Sequence, residues 1–212
     1  MSKALFHDHA EHFEAIILDL GGVLLNLDYG ATSKAFKAHA TGDFDALFAQ
    51  ASQSDLFDRL ETGKISPADF REALRELGFA MNDDELDSCW NAMLLDLPAS
   101  RLDYIDELCM RSGLILLSNT NEIHIQRFEE AMKAKGQWDR FSGCFVEMYY
   151  SSRIGKRKPD ISTFKWVLED NGLSAGEVLF IDDTLQHVEG ARAAGLTAYH
   201  LQKGEEIADL FG

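Results

Sequence analysis

At 212 residues the chain suits one α/β domain, or such a core with a small insertion, and is long enough to bury a real core. Its formal charge of −16, from 36 acidic and 20 basic residues, argues against a general nucleic-acid or anionic-membrane partner, and it obliges any site for an anionic substrate to supply cations locally. With 46% hydrophobic and 26% charged residues the composition carries no disorder signature, and no apolar run reaches the length of a membrane span.

The first 14 residues are polar, with His7, His9 and His12 set among acids. They lack the basic-then-apolar order of a signal peptide, so the expectation is a frayed tail on a cytoplasmic protein. Ile16-Ile17-Leu18-Asp19-Leu20-Gly21-Gly22 follows. The apolar run reads as a buried strand, and its carboxylate at the C-terminal tip lies where open α/β sheets bind ligands. The two glycines allow a sharp turn and close approach of a ligand to the backbone.

From 29 to 97 the signals are helical only. Short helices are expected at 31–39, 43–51 and 55–62. Ser66 caps a helix with Pro67 at its first position, ending at Gly78, and Asn82 caps another with Asp83, Asp84 and Glu85 in its first turn. Phe36, Phe44, Leu47, Phe48, Leu56, Phe57, Leu60, Phe70, Leu74, Leu86 and Trp90 form the expected core of this block. The stretch at Leu97-Pro98 is the return hinge, after which Ser100 caps a helix to Arg111.

Strand and helix then alternate. A strand at 114–117 ends on Ser118-Asn119, and a helix to about 133 leads to a strand at 144–149. A polar loop at 151–159 carries Lys156-Arg157-Lys158, and a helix spans 162–171. Ser174-Ala175-Gly176-Glu177 has the form of a capping box, before a strand at 178–181 that ends on Asp182-Asp183. A helix at 188–194 and a strand at 197–200 complete the pattern. The fold class expected is α/β: a Rossmann-like, mostly parallel sheet with right-handed crossovers, carrying an inserted helical bundle. Cys89, Cys109 and Cys144 have no ligand-like spacing and read as reduced, partly buried thiols.

In a parallel sheet the tips at Asp19, Ser118-Asn119 and Asp182-Asp183 share one edge. With Lys158 they supply a carboxylate nucleophile, phosphate donors, a cation and acids for Mg²⁺, which is the inventory for phosphoryl transfer. Mg²⁺ and Lys158 would offset the local carboxylates and admit an anion.

Taken in order, these stretches resemble the four motifs of the haloacid dehalogenase-like hydrolase superfamily over nearly the whole chain. Asp19-Leu20-Gly21-Gly22-Val23-Leu24 is similar to the first, Leu116-Leu117-Ser118-Asn119 to the second, Gly155-Lys156-Arg157-Lys158-Pro159-Asp160 to the third, and Phe180-Ile181-Asp182-Asp183 with the glycine-bounded helix after it to the fourth. The resemblance implies that Asp19 is the nucleophile and that Lys158 acts with it. Ser118, Asn119 and Lys158 would bind phosphate. Asp19, the backbone carbonyl of Gly21 and Asp183 would hold Mg²⁺, with Asp182 beside them. It implies a core of 1–28 and 98–212 and a small helical cap of 29–97.

The pattern departs from most phosphatases of the superfamily at Gly21, where they carry a second aspartate that moves protons to and from the leaving group. Three readings follow. The first is a Mg²⁺-dependent phosphatase of a small phosphorylated metabolite with a good leaving group, a sugar 1-phosphate by preference, since the first motif is similar to that of bacterial glucose-1-phosphatase-like members. The second is a metal-free 2-haloacid dehalogenase, against which the paired acids Asp182 and Asp183 speak. The third is a phosphate-binding protein impaired in turnover. Asp28 and Tyr29, at the cap hinge, are candidates for substrate contact, and His187 is read as a loop or surface residue, with a supporting role behind the site residues as the alternative. The sequence carries no signal for oligomeric state.

Overall fold

The computed structural model describes residues 13–39 and 55–211. His7, His9, His12, Phe44, Leu47, Phe48 and the helix expected at 43–51 lie outside the described residues.

Five strands, β1 (Ala15–Leu18), β2 (Gly113–Ser118), β3 (Phe145–Tyr150), β4 (Val178–Asp182) and β5 (Thr197–His200), form one sheet in the order β3-β2-β1-β4-β5, with every neighbouring pair parallel. The central strands are buried on both faces, which is why their sequences are continuous apolar runs. Ile16 and Leu18 of β1 join Leu114, Leu116, Leu179 and Ile181 in the cluster on one face. Ile17 joins Ile115, Leu117 and Phe180 in the cluster on the other, as the two-residue period of a strand requires. Leu18 pairs with both Leu116 and Ile181, so Asp19, Ser118 and Asp182 emerge at the same edge.

Between β1 and β2 lie the helices α1 (Tyr29–His39), α2 (Leu56–Glu61), α3 (Pro67–Glu76), α4 (Asp83–Asn91) and α5 (Ala99–Cys109). The first four pack around their own cluster, which contains Phe36, Leu56, Leu60, Phe70, Leu74, Leu86 and Trp90 as expected, together with Phe79, Met81, Cys89 and Ile123. Phe57 is only partly buried against it. Ser66 and Asn82 both cap as their sequences suggest. Each side-chain oxygen accepts from the backbone N–H three residues on, at 3.1 and 3.0 Å, and the Asp69 and Glu85 carboxylates accept from the two cap N–H groups. The two passages into and out of this block run side by side: Asn26 N–H donates to the Asp96 carbonyl at 2.9 Å, Leu95 N–H to Asn26 at 3.0 Å, and Asp28 N–H to Met93 at 3.0 Å. Arg101 ties this joint to the C-terminal segment, donating to the Leu24 carbonyl at 3.1 Å, to Asn26 Oδ1 at 3.0 Å and to the Glu206 carboxylate at 2.6 and 2.9 Å.

After β2 come α6 (Glu122–Ala134) and α7 (Trp138–Ser142), then α8 (Ser151–Ile154) after β3, α9 (Ile161–Asn171), α10 (Leu185–Ala193) after β4, and α11 (Ile207–Phe211). Helices α5, α6, α7 and α11 cover one face of the sheet, and α9 and α10 cover the other. Three local expectations need correction. Ser100 does not cap α5, which begins at Ala99 after Pro98 with no side-chain cap. Ser174 opens only a short 3-10 turn, Ala175–Glu177, because Val178 is drawn at once into the sheet. The helix after Asp183 starts at Leu185 rather than at 188, because Asp182 Oδ1 accepts the Thr184 N–H at 2.8 Å and turns the chain immediately. No helix among the described residues is long and apolar enough to cross a membrane.

Candidate active site

Asp19 leaves the tip of β1 with its N–H donating to the Ile181 carbonyl of β4 at 3.0 Å. Its Oδ1 accepts from Lys158 Nζ at 2.7 Å, and the same ammonium donates to Asp182 Oδ2 at 2.6 Å. Lys158 and Asp182 are fully buried and Asp19 nearly so. A lysine in such a place must be held, and two contacts hold its backbone. Asn119 Nδ2 donates to the Lys158 carbonyl at 2.8 Å while Asn119 Oδ1 accepts the Lys158 N–H at 2.9 Å. Thr163 Oγ1 fixes the preceding carbonyl, that of Arg157, at 2.8 Å. Asp182 is the better satisfied of the two carboxylates. It also accepts from Thr184 N–H and lies 3.0 Å from His187 Nδ1.

These contacts set the charges. Burial pushes Asp19 up to about 6, with Lys158 opposing and Asp182 adding repulsion. Burial also works against ionising Asp182, yet Lys158 and His187 outweigh it and hold this carboxyl at about 2. Burial disfavours the Lys158 ammonium, but its two carboxylates win and raise it above its ordinary value. Asp183 is half-buried and is pushed up by burial and by Asp182. One lysine cannot neutralise three acids, so the site keeps an excess of negative charge that a divalent cation would remove. Oxygen ligands of Asp19, Asp182 and Asp183 all lie within 4.8 Å of one another. A hard, oxygen-only donor set of this kind fits Mg²⁺.

Asp19, Gly21, Ser118, Asn119 and Asp183 line a cavity of about 350 Å³, and Lys158 and Asp182 stand behind its wall. Two expected contacts are placed otherwise. The Asn119 side chain is spent on the Lys158 backbone, so it positions the lysine, and only its backbone is left for a phosphate. Asp28 is exposed and off the cavity: its Oδ1 accepts the Gly30 N–H at 2.9 Å in the turn that starts α1, whereas its neighbour Tyr29 does line the cavity. His187 takes the supporting role, lining the cavity with its ring held on Asp182.

Two wall residues double as core of the helical block. Phe57 and Trp90, core by their helical spacing, have rings 5.0 Å apart that belong to that core while also facing the cavity. Glu61, Arg157 and His124 complete this part of the wall. Arg157 bridges the lysine loop to α2, paired with Asp58 and, at 3.1 Å, with Glu61. Adjacency to Lys158 was the only sequence signal for Arg157.

Gly22 is the glycine the turn requires. It has φ +77°, and a Cβ there would lie 2.0 Å from Asp183 Oδ2. Gly22→Ala is expected to displace Asp183 as well as strain the backbone. The affinity of the site for Mg²⁺ should fall by about tenfold or more, with a stability loss of about 1–3 kcal/mol. An unchanged Mg²⁺ titration would show that Asp183 does not hold the metal.

No protein-family model matches the chain. Among solved structures, a HAD family enzyme from Bacteroides thetaiotaomicron, in complex with magnesium and inorganic phosphate, superposes with a TM-score of 0.82 at 33% identity, over 94% of this chain and 100% of that one. The chain belongs to the HAD family. The family expected from the sequence is thereby confirmed, as is the α/β fold, and magnesium is the metal found in that family member. Two curated relatives of this HAD hydrolase are phosphatases. The D-ribitol-5-phosphate phosphatase of Bacteroides thetaiotaomicron is 26% identical, over 90% of this chain and 93% of its own length. A sesquiterpene phosphatase of Aspergillus oryzae is 27% identical over 89% and 90%.

Proposed function

We propose that this HAD hydrolase is a Mg²⁺-dependent phosphomonoesterase that transfers the phosphoryl group of a small phosphorylated metabolite first to Asp19 and then to water. The observation that carries the reading is the buried Lys158 ammonium, 2.7 Å from Asp19 and 2.6 Å from Asp182, at the edge where three parallel strands end. A charge fixed in a dry site stabilises developing negative charge without reorganising at the moment of reaction.

In this mechanism Asp19 presents one carboxylate oxygen as nucleophile while Lys158 holds the other. Ser118, at the tip of β2 and on the cavity wall, donates its hydroxyl to a phosphoryl oxygen. Asp182 keeps Lys158 charged and in place, and Asn119 fixes its backbone. When bound, Mg²⁺ would be held by Asp19, the Gly21 carbonyl and Asp183, and would offset the charge of the phosphate. Gly21 has no side chain to protonate the leaving oxygen. That favours esters whose leaving group departs easily, of which a sugar 1-phosphate, with its more acidic anomeric oxygen, is the preferred class. The block 29–97 acts as a cap over the cavity, and Tyr29, Phe57 and Trp90 face the leaving group. The dehalogenase reading fares worse, because Asp182 and Asp183 stand beside the nucleophile and repel an anionic haloacid.

The test is a panel of phosphate esters, sugar 1-phosphates, terminal polyol phosphates and aryl phosphates, assayed for phosphate release with Mg²⁺ and with a chelator. Release that requires Mg²⁺ and is greatest for sugar 1-phosphates is expected. Turnover insensitive to chelator, or no turnover of any ester, would overturn the reading.

A further inference from the structure

Gly21 leaves two proton transfers without a carrier, and a good leaving group removes the need for only one of them. An ester that departs as a stable oxyanion needs no acid, whereas the water that attacks phosphorylated Asp19 must still give up a proton. Besides Asp19 and Asp183, the described side chains on the cavity wall that can exchange a proton near neutral pH are sought among Tyr29, Glu61, His124 and His187. Burial and the acids Asp183, Asp19 and Asp182 push Tyr29 up to about 12, so its hydroxyl keeps its proton. Burial pushes His124 down to about 4, which makes it a weak base. His187 has Nδ1 engaged on Asp182 at 3.0 Å.

Glu61, the last residue of α2, lines the cavity from the cap, and its side chain is 28% exposed, so water reaches it. A group of the core holds it there. Arg157 Nη2 lies 3.1 Å from Glu61 Oε2, Arg157 also pairs with Asp58, and Thr163 Oγ1 donates to the Arg157 carbonyl at 2.8 Å. The carboxylate is thereby tied to the loop whose next residue, Lys158, holds Asp19. The charged and titratable groups that face it are Arg157, Asp58 of its own helix and His187 of α10. Burial, helped by Asp58, outweighs Arg157 and His187 and raises the carboxyl above its ordinary value, which makes it a stronger base than a surface carboxylate.

We infer that Glu61 is the general base of the second half-reaction, taking a proton from the water that hydrolyses phosphorylated Asp19. The water oxygen forms a bond to phosphorus, the bond from phosphorus to the Asp19 oxygen breaks, and its electron pair returns to the carboxylate. The water proton passes to Glu61 and from there to solvent.

The role of Glu61 rests on the phosphatase reading, and its test separates the two. Glu61→Gln removes the base and leaves Arg157 its partner Asp58. With 4-nitrophenyl phosphate, whose leaving group needs no acid, kcat should fall about 100-fold or more while the first turnover stays fast. The result is a burst of one equivalent of nitrophenol with the phosphoryl group retained on Asp19. Glu61→Asp should recover part of the rate, and the fall of kcat toward acid pH, where the base is protonated, should be lost in Glu61→Gln. A residue that only supported the cap would slow both half-reactions, so a slower Glu61→Gln without a burst overturns the role. So does a kcat within about threefold of wild type, or phosphoenzyme that accumulates in His187→Gln and not in Glu61→Gln. A wild-type protein that hydrolyses no ester overturns the phosphatase reading alone. Glu61 is then judged by phosphorylating Asp19 with acetyl phosphate and Mg²⁺ and timing the loss of label. Label that persists longer in Glu61→Gln than in wild type supports the role. Equal decay, or no label on either protein, overturns it.

Discussion

Asp19→Asn should lower phosphate release by a factor on the order of 10⁴ or more, because the substitution removes the nucleophile and leaves almost everything else. The amide is nearly isosteric with the carboxylate, and its oxygen can still accept from Lys158 Nζ, now 2.7 Å from Oδ1. Lys158 keeps its second partner, Asp182, at 2.6 Å. The variant should therefore fold, and its thermal midpoint should equal or exceed that of the wild type. The reason is electrostatic. Burial pushes Asp19 up to about 6, which says that its charge is costly where it stands, and Asp182 is already the carboxylate that the lysine favours. Removing the less well compensated of two like charges around a single ammonium relieves repulsion. Activity within tenfold of wild type would remove Asp19 from the chemistry. A large fall in the thermal midpoint would show instead that its charge supports the fold.

How far the sequence reached follows from where each residue sits. The strand tips were legible because a buried parallel strand must be apolar on both faces, so a carboxylate or hydroxyl closing such a run stands out. Asp19, Ser118 and Asp182-Asp183 are all of this kind. The caps at Ser66 and Asn82 were legible because both partners of each box lie within four residues. The role of Asn119 was not, and that of His187 was legible only as an alternative. Asn119 spends its amide on a residue 39 positions away, and His187 reaches Asp182 only because α10 begins a turn earlier than its apolar pattern suggests. Trp90 and Phe57 carry the same residue types whether they fill a core or face a cavity, and in this fold they do both. Periodicity finds a helix's buried side but does not say which buried rings border an opening.

Lys158→Met should be the most destabilising single change at the site and should also abolish turnover. The thioether side chain fills nearly the same volume, so the loss isolates the charge. Without the ammonium, Asp19 and Asp182 face each other in a buried site with no cation, and breaking a buried ion pair from one side costs about 3–5 kcal/mol. For a chain of this size that is a fall in thermal midpoint on the order of 6–20 °C. The origin of the loss can be checked in a double variant. Asp19→Asn in the Lys158→Met background removes one of the two stranded charges, and the other retains the Thr184 N–H at 2.8 Å and His187 at 3.0 Å. The pair should therefore be non-additive, with the double variant more stable than Lys158→Met alone. Mg²⁺ should likewise stabilise Lys158→Met more than it stabilises the wild type, since it would replace part of the missing positive charge beside Asp19 and Asp183. Additive losses, together with an equal Mg²⁺ effect in both proteins, would mean that Lys158 is held for packing against Phe180, whose ring lies 5.4 Å from its Nζ, rather than for the charge it puts between two carboxylates.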